Sequence, residues 1–146
     1  MTASDPTPGA PTGVCIVGTA RRTWRNGAAP EPLAMWEEMV RAAATDVGAR
    51  IDVVGALDHI AVVHCLSWEY DGPAGRLADC LGRSDVARST SILAGTSPQR
   101  LIDQLADAMT RGEIGAAVVV GAEAEATRRR FVTAGEEPPW SHRSPD

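Results

Sequence analysis

Four short apolar runs recur along the chain, and helical periods fill the intervals between them. VCIVG (14–18), IAVVHC (60–65), TSIL (90–93) and AAVVVGAE (116–123) each read as a buried strand. A run apolar at every position suits a strand covered on both faces. In the first interval Leu33, Trp36, Val40, Ala43 and Val47 fall three or four apart, with Met39 and Ala44 widening the stripe. Gly48 stands where such a helix would stop. IDVVGALDH (51–59) reads as a turn or connection into the second strand. A short helix is expected from Ala74 to Leu81, closed by Gly82. Another runs over 98–111, with Leu101, Ile102, Leu105, Ala108 and Met109 on one face, and Gly112 closes it. Ser97 reads as its N-cap and Pro98 as its first helical residue. EAEATRRRF (123–131) starts a last helix. The order is β-α-β-α-β-α-β-α. It predicts an α/β fold, a mostly parallel sheet of about four strands with helices on both faces.

Domain limits follow from composition. Residues 1–12 are rich in Pro and Thr and are expected to be a disordered tail; 13–131 form the domain, and 132–146 a Pro-rich tail. A formal net charge of −5 opposes a nucleic-acid or anionic-membrane surface. No apolar run nears the ~20 residues of a membrane span, and the first residues lack the basic and apolar regions of a signal peptide. A cytoplasmic location is expected. Cys15, Cys65 and Cys80 are odd in number and far apart, which suggests neither a disulfide framework nor a zinc site.

Several chemistries drop out. VGTARRTW after the first strand lacks the later glycines of a dinucleotide loop. All fourteen basic residues are Arg, so a phosphate-loop lysine and a Schiff-base lysine are both excluded. His59, His64 and His142 show no metal-ligand spacing, and His64 reads as a strand-end residue with its hydrogen bond satisfied. Cys15 and Cys65 read as small buried strand residues. SWEYDGPAG (67–75), with Glu69 and Asp71 around Trp68 and Tyr70, reads as a connection with one anchored aromatic. Arg128, Arg129 and Arg130 read as a solvated helix face. What remains is the turn AGTSPQ (94–99), at the carboxyl end of a strand, where α/β folds gather functional groups. Gly95 permits close approach of backbone, and the following helix start offers free N–H groups to a developing negative charge. Thr96 and Ser97 are the hydroxyls there. An oxyanion-binding turn and a well-capped helix both fit these residues.

The pieces CIVGTARRT, LAMWEEMVRAAATDVGA, WEYDGPAGRLADCLG, AGTSPQRLIDQLADAMTRGE, AAVVVGAEAEATRRR and AGEEPPWS span residues 14 to about 141. In this order and spacing they resemble the N-terminal half of the thiolase superfamily, near the acetyl-CoA acetyltransferase-like, sterol-carrier-protein thiolases. The resemblance implies a three-layer thiolase-like half-fold, with 132–146 at the start of an inserted loop domain. It implies an acyltransferase fragment or subunit that handles a coenzyme A thioester as substrate, holds no bound cofactor and is inactive alone. The nucleophilic Cys of the family opens the third helix in a Cys-Gly-Ser-Gly-like turn. Matching that turn puts Ala94 at the Cys position, or Gly95 after a one-residue shift, with Thr96 and Ser97 as the remaining hydroxyls. The acid/base His and second Cys belong to the other half of a thiolase, which implies a separate C-terminal half as partner. The resemblance also implies a homodimer through the edge strand Thr90–Leu93. Two alternatives are a non-catalytic assembly module and a subunit of a thiolase-like retro-aldol lyase, with Tyr70 as its phenolic acid/base.

Overall fold

The computed structural model describes residues 13–25, 29–48 and 51–145. The expected tail 1–12 lies outside the described residues. Four helices and three strands alternate: α1 (Pro32–Val47), β1 (His59–Val62), α2 (Pro73–Cys80), β2 (Ala87–Thr90), α3 (Ser97–Thr110), β3 (Ala117–Val120) and α4 (Glu125–Thr133). The sheet is parallel throughout, in the order β2-β1-β3. In register, His59 stands opposite Ala87 on one side and Ala117 on the other.

Period-two alternation along β1 sorts its side chains into two cores. Ile60 and Val62 point to one face, where they meet Trp36 and Val40 of α1 and Leu77 and Ala78 of α2. Ala61 points to the other, against Leu101 and Leu105 of α3 and beside the half-buried Val63, Ile114 and Val119. With helices on both faces, the three layers predicted from the alternation are present. Trp36, Ile60, Val62 and Leu77 are fully buried, and each side chain of that kind contributes about 1.5–3 kcal/mol of burial free energy.

Helix limits follow the expected signals. Gly48, Gly82 and Gly112 follow the ends of α1, α2 and α3, all with φ between 69° and 104°. That left-handed region carries a Cβ penalty that glycine escapes. Residues 51–58 form the expected connection, and Arg83 ties it down by donating from Nη1 to the Val54 carbonyl (2.7 Å) and from Nη2 to that of Leu57 (2.9 Å).

Two strand expectations need correction. Residues 14–18 join no sheet, so among the described residues three strands form instead of four, and Ile16 and Val17 are exposed. Cys15 is exposed as well, not buried in a strand. Third in the sequence, the strand expected at 90–93 sits at 87–90 instead. β1 ends at Val62, whose carbonyl accepts the Ser91 N–H (3.0 Å), so Ile92 and Leu93 have no strand beside them and are 64% exposed.

The segment after α4 returns to the body of the domain. Tyr70 and Arg143 form an antiparallel bridge, the Ser144 N–H reaches the Glu69 carbonyl (2.8 Å), and Trp68 Nε1 donates to the Ser141 carbonyl (2.9 Å). No helix among the described residues is long and apolar enough to cross a membrane.

Candidate functional site

The parallel strands all exit at one end of the sheet, and the N-termini of α3 and α4 begin there. The turn 94–97 lies on the β2 side of this end. Its shape is set by two serines. Ser91 Oγ accepts the His64 N–H (2.9 Å) and donates to the Ile92 carbonyl (3.0 Å). Ser97 Oγ donates to that same carbonyl (2.6 Å), while the Ser97 N–H reaches the Ala94 carbonyl (3.0 Å). Ser97 is therefore the first residue of α3 and not its N-cap. Its side chain is buried and its hydroxyl proton is committed to backbone. Thr96 holds the N-cap position without a side-chain capping bond. Ala94, Gly95 and Thr96 are exposed. A Cβ placed on Gly95 would meet nothing within 4 Å, so no close backbone approach uses this glycine. The turn offers N–H donors of a helix start; Ala94 and Gly95 carry no nucleophilic group, Ser97 is turned inward, and the exposed Thr96 is left as its accessible hydroxyl.

Between the exits of β1 and β3 the structure holds a cluster that motif reading does not assemble. The Glu123 carboxylate accepts the backbone N–H groups of Leu66 (Oε1, 2.8 Å) and Ser67 (Oε2, 2.8 Å). Ser67 is buried, and its Oγ accepts the Ala124 N–H (2.9 Å). Cys65 Sγ lies 3.4 Å from Ser67 Oγ and 3.6 Å from Glu123 Oε2. Burial pushes the Cys65 thiol pKa up, and the nearby Glu123 charge adds to the rise. A thiol so held stays protonated and is a poor nucleophile. The arrangement clips two loops together across more than fifty residues, a separation no local pattern reveals.

Tyr70 is fixed in a similar way. Its hydroxyl accepts the Leu33 N–H (3.0 Å) and donates to Glu31 Oε2 (3.2 Å), and its ring packs on Trp36 at 5.1 Å. Burial, followed by the Glu31 charge, raises the phenol pKa well above its ordinary value. The hydroxyl anchors the entrance of α1, a location unsuited to proton transfer with a substrate.

Other candidates resolve into local pairs. His59 Nε2 lies 2.9 Å from Ser89 Oγ, and burial lowers its pKa. Arg128 and Arg129 both reach back to Glu125. Among the described residues no group of three or more His, Cys, Asp or Glu side chains is placed to hold a metal ion. A cavity of about 400 Å³ opens between residues 20–25 and the start of α4, where Arg21, Arg22, Trp24 and Arg25 face Gly121, Glu123 and Thr127. Arg22 lies over the Trp24 ring at 5.0 Å and pairs with Glu38.

Neither the protein-family models nor the curated proteins include a match to this chain. Among solved structures, the chain is similar to a monomeric SCP2-thiolase-like protein of type 1 from Mycobacterium smegmatis. The two superpose with a TM-score of 0.61 at 24% identity, over 73% of this chain and 22% of that one. The chain thus spans about a fifth of the length of that neighbour. The parallel sheet order β2-β1-β3, its two helical layers and this superposition together establish that the chain has an SCP2-thiolase-like fold.

Proposed function

We propose that the chain is a thiolase-like, acyl-CoA-handling fragment or subunit that is inactive alone and needs a thiolase C-terminal half to supply the rest of the site. The observation that carries this reading is the likeness to the SCP2-thiolase-like protein. The turn 94–97 supports it chemically: it keeps the helix-start donors of a thioester site but holds Ala94 and Gly95 where a nucleophile would stand. Arg21 and Arg25 beside the 400 Å³ cavity supply guanidinium groups suited to the phosphates of coenzyme A. Claisen chemistry needs a thiolate, a base and an oxyanion hole together, so the partner must bring the first two. The test mixes the chain with a thiolase C-terminal half and follows acyl-CoA thiolysis. Activity present in the mixture and absent from either part upholds the proposal; a mixture no faster than the C-terminal half alone removes it.

A second reading rests on the free edge of β2. Ile92 and Leu93 are exposed beyond it, and an apolar strand edge favours self-association. We propose homodimerisation there as the basis of a non-catalytic assembly role. Sedimentation across a range of concentrations separates the two: a mass that stays monomeric counts against assembly.

A further inference from the structure

Four of the fourteen arginines stand around one cavity, although the chain as a whole carries a net charge of −5. Arg21, Arg22, Arg25 and Arg130 line the space of about 400 Å³ between residues 20–25 and the start of α4, and Glu123 is the one carboxylate on its wall. Both Glu123 oxygens are turned to the N–H groups of Leu66 and Ser67. Arg22 pairs with Glu38. Setting Glu123 and Glu38 against the four guanidinium groups leaves two positive charges at the cavity. Arg21 and Arg25 make no hydrogen bond or ion pair among the described residues. Water alone would satisfy exposed guanidinium groups, so their charge does not by itself mark a site. The wall adds two features that water does not explain.

Thr127 is the first. It lines the cavity and is only 4% exposed. Its Oγ accepts the Ala29 N–H (3.0 Å), and its hydroxyl proton meets no acceptor among the described residues. A buried donor left unspent costs free energy, and an anion oxygen in the cavity would accept it. The second feature is an apolar patch of Trp24, Met35 and Met39 on the same wall. Arg22 lies over the Trp24 ring at 5.0 Å and holds the indole there. The backbone that carries the arginines is tied to both flanking helices. The Thr19 N–H donates to Asp46 Oδ2 in α1 (2.9 Å), and Ala29 is fixed on Thr127 in α4. A ligand therefore meets a wall that is already ordered, which lowers the cost of binding.

Two positive charges beside a buried hydroxyl donor and an apolar patch match a phosphate monoester. Such a group carries about −1.5 to −2 charge near neutral pH, and its ester side leaves room for an apolar part. We propose that this cavity binds a small organic phosphate monoester. Arg21 and Arg25 hold the phosphate oxygens by charge-assisted hydrogen bonds, Thr127 donates to one of them, and the organic part packs on Trp24, Met35 and Met39. A cavity of this size is within the ordinary range for small-molecule sites. It lies apart from the turn 94–97, none of whose residues lines it; β2 and β3 flank β1 on opposite sides. The site stands on the cavity and does not rest on the thioester reading, which draws on the same two arginines. Binding of an ester without thiolysis would uphold the site and not that reading, and thiolysis without ester binding would do the reverse.

The test titrates the full chain with inorganic phosphate, n-butyl phosphate and adenosine 5′-monophosphate, by calorimetry and by amide NMR. Both esters are expected to bind more tightly than inorganic phosphate, and the tighter of the two assigns the organic part to an alkyl chain or to a flat ring. Amide signals of 21–25 and 122–127 should move on titration, and those of 94–97 should not. The double variant Arg21→Gln/Arg25→Gln, at exposed positions, should keep the fold by circular dichroism and weaken ester binding about tenfold or more. Arg111→Gln removes an arginine that pairs with Glu113 and does not line the cavity. It should leave ester binding unchanged. Absence of binding by either ester at about 10 mM would overturn the inference. So would ester binding no tighter than that of inorganic phosphate, or binding that the double variant retains in full, since the anion would then sit elsewhere.

Discussion

Cys15, Cys65 and Cys80 differ in what surrounds each sulfur, and their chemistry should divide accordingly. Cys65 is buried beside Ser67 and Glu123, with its thiol pKa raised, while Cys15 and Cys80 are exposed. Alkylation proceeds through the thiolate and needs access. Iodoacetamide at neutral pH is therefore expected to modify Cys15 and Cys80 in the native protein and spare Cys65, with all three modified in denaturant. Intact and peptide mass spectrometry reads the outcome, and native labelling of Cys65 at the rate of Cys80 would show that the Glu123 clip is not held closed. The apolar run around Cys65 predicts its burial, although β1 ends at Val62 before reaching it, while the same reasoning fails for Cys15 for one physical reason. An apolar neighbourhood along the chain predicts burial only if something packs against it, and Cys15 sits in a run that pairs with no strand among the described residues.

Helix α4 buries Thr127 alone and carries ion pairs along its exposed face. Glu125 in its first turn accepts from Arg128 Nε (2.8 Å) and Arg129 Nε (2.9 Å). Those two hydrogen bonds lower its carboxyl pKa from 4.5 to about 2. Since the folded-state pKa is depressed, the stabilisation is complete above pH 4.5 and is lost as pH falls through about 2. The group is exposed, so salt should shrink the effect. NMR amide signals of 125–133 are expected to report loss of helix over that acid range, and Glu125→Gln should make them insensitive to it. A variant that melts with the same acid dependence would assign the transition to another carboxylate. The helices were readable in this way because their signals are local: apolar spacing at three and four, and glycine after the last turn. Strand limits were not. β2 is fixed by where β1 ends and not by the apolarity of Ile92 and Leu93, and 14–18 has strand character but no ladder. Pairing belongs to two segments at once, and neither segment alone encodes it.

The chain is also closed by contacts between its distant ends, which no periodicity reports. The Glu31 carboxylate, just before α1, accepts from the Ser141 N–H (3.0 Å), the Ser141 hydroxyl (2.9 Å) and the Tyr70 hydroxyl (3.2 Å). The Asp71 N–H donates to the His142 carbonyl (2.8 Å), and Arg143 lies over the Trp68 ring at 5.4 Å. Residues 134–145 thus act as a strap from the end of α4 back to the loop that carries Tyr70. Removing residues 137–146 keeps the Glu136 N–H on the Phe131 carbonyl at the α4 C-terminus but strips Glu31 of its Ser141 donors and exposes Trp68. Among the described residues five hydrogen bonds to the rest of the domain are lost, those of Ser141 and Ser144 with Glu31, Trp68 and Glu69, and that of His142 with Asp71. At about 0.5–1.5 kcal/mol net for each, partly recovered by water, the truncated chain should be less stable by about 2–4 kcal/mol in urea denaturation. Glu31→Gln keeps the shape and one acceptor oxygen, so it should cost less than the truncation. It should also leave the buried core of Trp36, Ile60 and Leu77 unchanged by near-ultraviolet circular dichroism. A truncated chain as stable as the whole would mean that the return of the C-terminal segment follows the fold without supporting it.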